Sequence, residues 1–258
     1  MARDLLVLSG GHPYEAEPFE ALIHSLGDWE VTHLIHPEAE ESVARGRAAQ
    51  ADAVLFYDMG GYTFADDQVR SRPPSEGYRR AIVERFERGR GAVAMHHALA
   101  GWADWPEWHE MLGGRFLYTP DTVRGQAKLD SGYRHDVHYT ASIVADHPVT
   151  AGLPNTFRVV DELYLAEIFE DDVEPLARSD YAFTRDNFYS AALAVSGKLF
   201  SNDGWDHPPG RDLIAWHKRV GNAPLVYLQF GDTPQTYENP HVRQMIANAL
   251  EFTTGGTS

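Results

Sequence analysis

The sequence predicts an α/β protein of flavodoxin-like type: a mostly parallel sheet with helices on both faces and added antiparallel strands in the C-terminal half. Three observations carry that prediction. Through the N-terminal half, short apolar runs of strand type alternate with segments of helical spacing, a pattern that implies right-handed crossovers and parallel pairing. Beyond Arg124 the texture changes to β-branched, alternating segments suited to antiparallel or mixed pairing. The chain has 258 residues and is 43% hydrophobic, enough to fill a substantial core in one domain.

Leu5-Leu-Val-Leu8 is the first strand, with Gly10-Gly11 behind it, and Pro13 to Gly27 follows with helical spacing through Phe19, Leu22, Ile23 and Leu26. Trp29 to Ile35 fits a second strand. Ala53 to Tyr57 is a third, ending at Asp58 and a Gly60-Gly61 turn. The segment Tyr62 to Ser75, with Pro73-Pro74, is long for a plain connection and suits a cover over a cleft. Glu76 to Gly89 reads as an amphipathic helix, ended by Gly89 and Gly91 ahead of the strand that runs into His96. Ser142 to Ala145 and Phe157 to Val160 are antiparallel-type strands, and Pro224 to Phe230 is a buried-type strand before the helix Pro240 to Phe252. No internal repeat or linker divides the chain, so a single domain over 1–254 is expected, with a disordered tail at 255–258.

Charge and composition narrow the function. Lys and Arg number 22 against 38 Asp and Glu, a net charge of −16, so the average field repels polyanions; nucleic acid and anionic membranes are excluded as partners. There are no cysteines, which removes disulfides, zinc-thiolate sites and cysteine nucleophiles and leaves imidazole and carboxylate as metal ligands. The N-terminal residues lack the apolar region of a signal peptide, and no run reaches the roughly 20 apolar residues of a membrane span. A cytoplasmic protein is expected.

Chemistry collects where the apolar run Gly91-Ala-Val-Ala-Met95 stops at His96-His97 and turns into a helix-like segment. In an open parallel sheet, the carboxyl ends of the strands face the ligand crevice, and a sharp strand-to-helix turn exposes one residue at its tip. If the first, third and His96 strands lie side by side, Gly10-Gly11-His12, Asp58 and His96-His97 reach one edge, and the terminal strand adds Gly231-Asp232. Such a set can hold a divalent metal such as zinc through His12, His96 and Asp232, or can supply a proton donor and acceptor. His96 is the candidate acid/base or ligand. Glu162, at the end of the Phe157–Val160 strand, is the candidate base, and Tyr164 shares its face. His97, Asp58, Trp102 and Tyr164 are candidate substrate contacts, Trp102 as a stacking platform. In Arg134-His-Asp-Val-His-Tyr139 an extended backbone puts His135 and His138 on opposite faces, so at most one enters a site.

Taken in order, these segments resemble the trehalose-utilisation, or ThuA-like, family, whose fold is similar to that of class I glutamine amidotransferases. The resemblance rests on Ser9-Gly-Gly-His12, the Gly89-to-His97 segment, Trp105-Pro-Glu-Trp108 with Leu112-Gly-Gly-Arg-Phe116, His147-Pro-Val-Thr-Ala-Gly-Leu-Pro154, Asp161-Glu-Leu-Tyr164, the Tyr227–Phe230 strand, and Asn239-Pro240 with Asn248-Ala-Leu-Glu-Phe252. It implies that His96 stands near the elbow that carries the amidotransferase cysteine, so glutaminase chemistry is lost. The family usually carries Gly-His where this chain has Gly231-Asp232. It also implies sugar metabolism, and the leading expectation is an enzyme acting on a sugar or keto-sugar by hydrolysis, isomerisation or a lyase step. The alternatives are a non-catalytic sugar-binding or sensing module, and an oligomer joined through a surface rich in tryptophan.

Overall fold

The computed structural model describes residues 3–255, so the tail from residue 256 lies outside the described residues. Its main sheet has ten strands among them: β1 (Arg3–Ser9), β2 (Trp29–Ile35), β3 (Ala53–Phe56), β4 (Ala92–Met95), β5 (Gly132–Ile143), β6 (Thr156–Leu165), β7 (Glu174–Ser179), β8 (Tyr189–Ser190), β9 (Leu213–Val220) and β10 (Ala223–Leu228). Five strands pair in parallel in the order β2-β1-β3-β4-β10, the doubly wound order of flavodoxin-like folds. From β10 the sheet continues antiparallel through β9, β7, β5 and β6, with β8 paired to β5. The change of texture after Arg124 is this change of pairing.

Every residue of β3 and β4 is buried, as expected of central parallel strands covered on both faces, and this is why they read as continuous apolar runs. One face is covered by α1 (Ala16–His24) and by the long C-terminal helix (Pro240–Thr254), through Phe19, Leu22, Ile23, Met245, Ile246 and Leu250. The other is covered by Glu38–Ala44, Glu76–Glu87 and Pro106–Leu112, through Val43, Ile82, Phe86, Trp108 and Leu112. Ser75 caps the second of these by accepting the Tyr78 amide at 3.3 Å.

Three local readings are corrected. The first helix is shorter than Pro13 to Gly27; Pro18 falls in its first turn, where a missing N–H costs nothing. The Tyr62–Ser75 segment holds a hairpin, Tyr62–Ala65 against Gln68–Ser71, turned by Asp66 and Asp67 at φ 52 and 54. An Asp-Asp pair announces a left-handed turn less clearly than Asn-Gly does, so the hairpin leaves little trace in the sequence. The tryptophan stripe is core: Trp102, Trp105 and Trp108 are 0%, 2% and 0% exposed. It forms neither a surface for a second copy of the chain nor a platform open to a sugar.

At the amino edge of the sheet a different device holds the strands together. Arg85 is fully buried and has no carboxylate partner among the described residues; its guanidinium donates to the carbonyls of Ala48, Ala51, Asp52 and Gly91, just ahead of β3 and β4. Burial pulls its pKa down to about 9, and neighbouring Arg90 adds to the effect. The Arg85 N–H groups satisfy buried carbonyls of the segments that lead into the two strands, Ala51 sharing its oxygen with Arg90. Arg85→Met is therefore expected to cost on the order of 3–5 kcal/mol in urea unfolding. An unchanged midpoint would show that these carbonyls find other donors.

Candidate active site at the carboxyl edge

At the end of β4 the backbone turns sharply into a single 3₁₀ turn, His96–Leu99, and His96 takes φ +40. That is a left-handed conformation which a non-glycine residue holds only when its surroundings fix it. They do. The buried His96 ring donates from Nδ1 to the Gln229 carbonyl at 2.5 Å, its Nε2 lies 3.0 Å from Glu162 Oε2, and its face stacks on Tyr164 at 4.5 Å. Tyr227 Oη donates to the His96 carbonyl at 3.0 Å. Burial alone disfavours an imidazolium here, but the Glu162 hydrogen bond and the charges of Glu162 and Asp232 outweigh it and raise the His96 pKa to about 9. With an oxygen at each ring nitrogen, the His96 ring is locked behind Glu162.

Glu162 is also approached from the opposite side. His135 Nδ1 lies 3.3 Å from Glu162 Oε1 and 3.7 Å from Asp232 Oδ2, and Asp232 Oδ1 lies 3.9 Å from His96 Nε2. Two imidazoles thus flank two carboxylates. His135 reaches this position because β5 carries a bulge: its register against β6 shifts between Arg134 and Val137, and Asp136 stands at φ 53. His138, past the bulge, pairs opposite Val160 with its side chain exposed. Asp232 raises the His135 pKa. Asp232 itself is held low: burial pushes it up, but the His135 contact and the His96 charge more than offset that. Asp161 points to the other face of β6 and accepts the amides of Gly231 and Asp232 at 2.8 and 3.0 Å, pinning the turn that carries Asp232. Burial raises its pKa to about 6.

The remaining two histidines of the cluster are shifted the other way. His97 Nδ1 lies 3.2 Å from Tyr164 Oη, and its buried Nε2 has no partner. Burial, then the His96 charge, drives its pKa well below 6.5. His12 stacks on it at 4.0 Å and is lowered by burial. Within one cluster, two imidazoles are thus shifted up and two down, a division set by which rings meet carboxylates.

A cavity of about 180 Å³ opens in front of this cluster, lined at one end by His12, His135, Glu162 and Tyr164. His96 and His97 do not line it; Glu162 stands between His96 and the opening. Asp58 is corrected as a substrate contact: it is 1% exposed, and its Oδ2 lies 2.7 Å from His36 Nε2. Trp102 is corrected likewise. Its ring wedges under the Gly60-Gly61 turn, where a Cβ on Gly60 would stand 2.3 Å from its Cζ2. The donor atoms of His96, His97 and Asp232 lie within 4.8 Å of one another, as do those of His135, Glu162 and Asp232. His12, expected as a ligand, belongs to neither group. Of the two, only the second opens to the cavity, through His135 and Glu162, and its nitrogen and oxygen donors suit a divalent ion such as zinc. Neither Gln229 nor Asp161 receives a role from the sequence, and His135 is left undecided between faces there; the bulge and the cross-strand partners that give them their roles leave no local signature.

The sheet order and the buried histidine turn at the end of β4 define the class: a doubly wound α/β protein with added antiparallel strands. Residues 4–253 match the family model ThuA, trehalose utilisation, and the chain belongs to that family. Among solved structures it is similar to a ThuA-like protein of Parabacteroides merdae (15% identity, 100% of this chain and 91% of that one, TM-score 0.68). A ThuA-like protein of Bacteroides uniformis is also similar (17%, 97% and 91%, TM-score 0.60). So is a protein of Thermoplasma acidophilum described as part of a GMP synthase (9%, 98% and 94%, TM-score 0.53). No curated protein matches the chain. Among the described residues no helix is long and apolar enough to cross a membrane.

The raised pKa of His96 makes stability depend on pH in a definite direction. A histidine near 6.5 unfolded and about 9 folded stabilises fully below pH 6.5, and that contribution is lost as pH rises through 9. Urea unfolding is therefore expected to show a loss on the order of 3 kcal/mol between pH 6.5 and 9.5, and His96→Gln is expected to flatten it. A wild-type stability that rises over this interval would mean His96 is neutral in the folded protein.

Proposed function

We propose that this protein is an enzyme of carbohydrate metabolism that moves protons on a sugar or keto-sugar, with Glu162 as general base and the His135 imidazolium as general acid. The observation that carries this reading is the Glu162 carboxylate, which faces the cavity while held between two imidazoles, His96 at 3.0 Å and His135 at 3.3 Å. A carboxylate held between two imidazoles is fixed in direction, which general-base catalysis needs. His96 acts as a positioning residue behind it. The proton that Glu162 takes from a substrate hydroxyl or C–H is matched by one that His135 returns to the oxygen gaining charge. His12 and Tyr164 line the same wall and contact the sugar. The family's description, trehalose utilisation, supports a sugar as substrate.

A second reading, a divalent-ion centre, is favoured by the three donors of His135, Glu162 and Asp232 meeting within 4.8 Å at the cavity. An ion there would polarise a sugar oxygen, with the same three residues as its ligands.

On a panel of sugars and keto-sugars, Glu162→Gln is expected to lower kcat by about 10²–10⁴ with little change in KM, and chelation by EDTA is expected to leave the wild type active. Full turnover by Glu162→Gln would sink the proton-transfer reading. Loss of activity on chelation, restored by zinc, would select the ion centre; saturable sugar binding without product would make the protein a sensing module.

A further inference from the structure

The cavity in front of Glu162 is only partly polar. Beyond His12, His135 and Glu162 its walls are Phe116, Tyr118, Tyr133, Leu199 and Phe200. Leu199 and Phe200 are 63% and 59% exposed, the two most exposed large apolar side chains among the described residues, and they sit side by side on the rim of this one opening. Adjacent apolar groups left facing water beside a polar site mark a contact surface for a ligand. The backbone supports the same conclusion. Phe200 is held at φ +58, a conformation that a bulky residue rarely adopts. Its amide donates to Tyr133 Oη at 3.1 Å, and its ring meets Tyr189 edge-on at 5.7 Å and His135 at 6.3 Å. Backbone strain thus keeps an aromatic ring in solvent next to the proposed acid.

Resting on the sugar reading above, we propose that this wall is a subsite for a flat apolar aglycone, so that the substrate class is glycosides carrying an aromatic group rather than unsubstituted sugars. Size agrees. A cavity of about 180 Å³ is close to the roughly 150 Å³ that accepts one benzene ring, so it holds one six-membered ring at the histidine–carboxylate end. The substituent then leaves past Leu199 and Phe200 and stacks on the rim. A disaccharide such as trehalose offers no planar apolar group to that rim.

The test measures binding of methyl glucoside, phenyl glucoside (both anomers of each) and phenol to the whole chain by calorimetry and saturation-transfer NMR. The variant is Phe200→Asn, since Asn tolerates the left-handed backbone and keeps the loop in place. Phenyl glucoside is expected to bind about tenfold tighter than methyl glucoside, the scale of one aromatic contact, and Phe200→Asn to bring that ratio close to one while leaving methyl glucoside binding unchanged. Equal binding of the two glucosides by the wild type overturns the subsite and leaves the sugar reading standing. A ratio that survives in Phe200→Asn overturns it as well, as does failure of all three probes to bind. Phenol and phenyl glucoside binding that depends on Phe200, with no methyl glucoside binding, supports the subsite and removes the sugar reading. Dimerisation lost in Phe200→Asn, with no preference between the glucosides, assigns the rim to a second copy of the chain and overturns the proposal.

Discussion

The constraint on which the rest of the structure depends is the burial of a charge. The His96 ring is fully shielded from water while the carboxylates around it raise its pKa, and a charge at such a position is stable only if its partners are already in place. Those partners come from far along the chain: Gln229 follows β10, Glu162 lies in β6, and Asp232 sits on a turn pinned by Asp161. The His96 backbone strain is tolerated for the same reason. A ring held at both nitrogens and stacked on Tyr164 fixes its own φ, and the local cost is offset by contacts that only the complete sheet can supply.

The two edges of the sheet are built on opposite principles. At the amino edge Arg85 is a buried cation whose every acceptor is a backbone carbonyl, so it ties strand ends together and faces no cavity. At the carboxyl edge the cations face carboxylates, and one of those carboxylates faces an opening. The first arrangement leaves nothing for a ligand to interact with. The second leaves Glu162 with its charge and lone pairs directed at the space in front of it. The sheet also divides the labour along its width: the parallel half delivers His12, His96 and His97, and the antiparallel half delivers Glu162, His135 and most of the aromatic wall. Neither half holds the site alone.

This division explains what could be read from the sequence. Parallel strands buried on both faces are visible as apolar runs, and their carboxyl ends are known positions, so the edge that gathers His12, Asp58, His96 and Asp232 was legible before any coordinates. Side-chain pairing was not. Asp58 reaches the edge but its carboxylate turns to His36, and Trp102 follows the histidines but is wedged under glycines. His135 shows the reverse case: strict alternation along an extended strand leaves it undecided between faces, and only the two-residue bulge aims it at Glu162. A bulge is a property of two strands in register, so no single-strand pattern announces it. Glu162 and Tyr164 could be placed on one face because β6 is regular through both positions, and period-two alternation then suffices.

A histidine at the sharp turn after β4 does more than leave that turn without a nucleophile. A thiolate at that tip would act by attacking, with its lone pairs free. His96 has neither ring nitrogen free: Nδ1 is committed to Gln229 and Nε2 to Glu162, so it can neither attack nor abstract. What it supplies is a fixed positive charge, one step behind the reacting surface. Reactivity therefore moves outward from the elbow to the carboxylate that the charge holds in place. That shift also brings the working group from the parallel half of the sheet into reach of the antiparallel half, where the bulged His135 and the strained Phe200 stand. The turn after β4 holds a ring that does not reach the cavity, and the added strands, absent from a minimal doubly wound domain, contribute His135, Glu162 and Tyr164 to its wall.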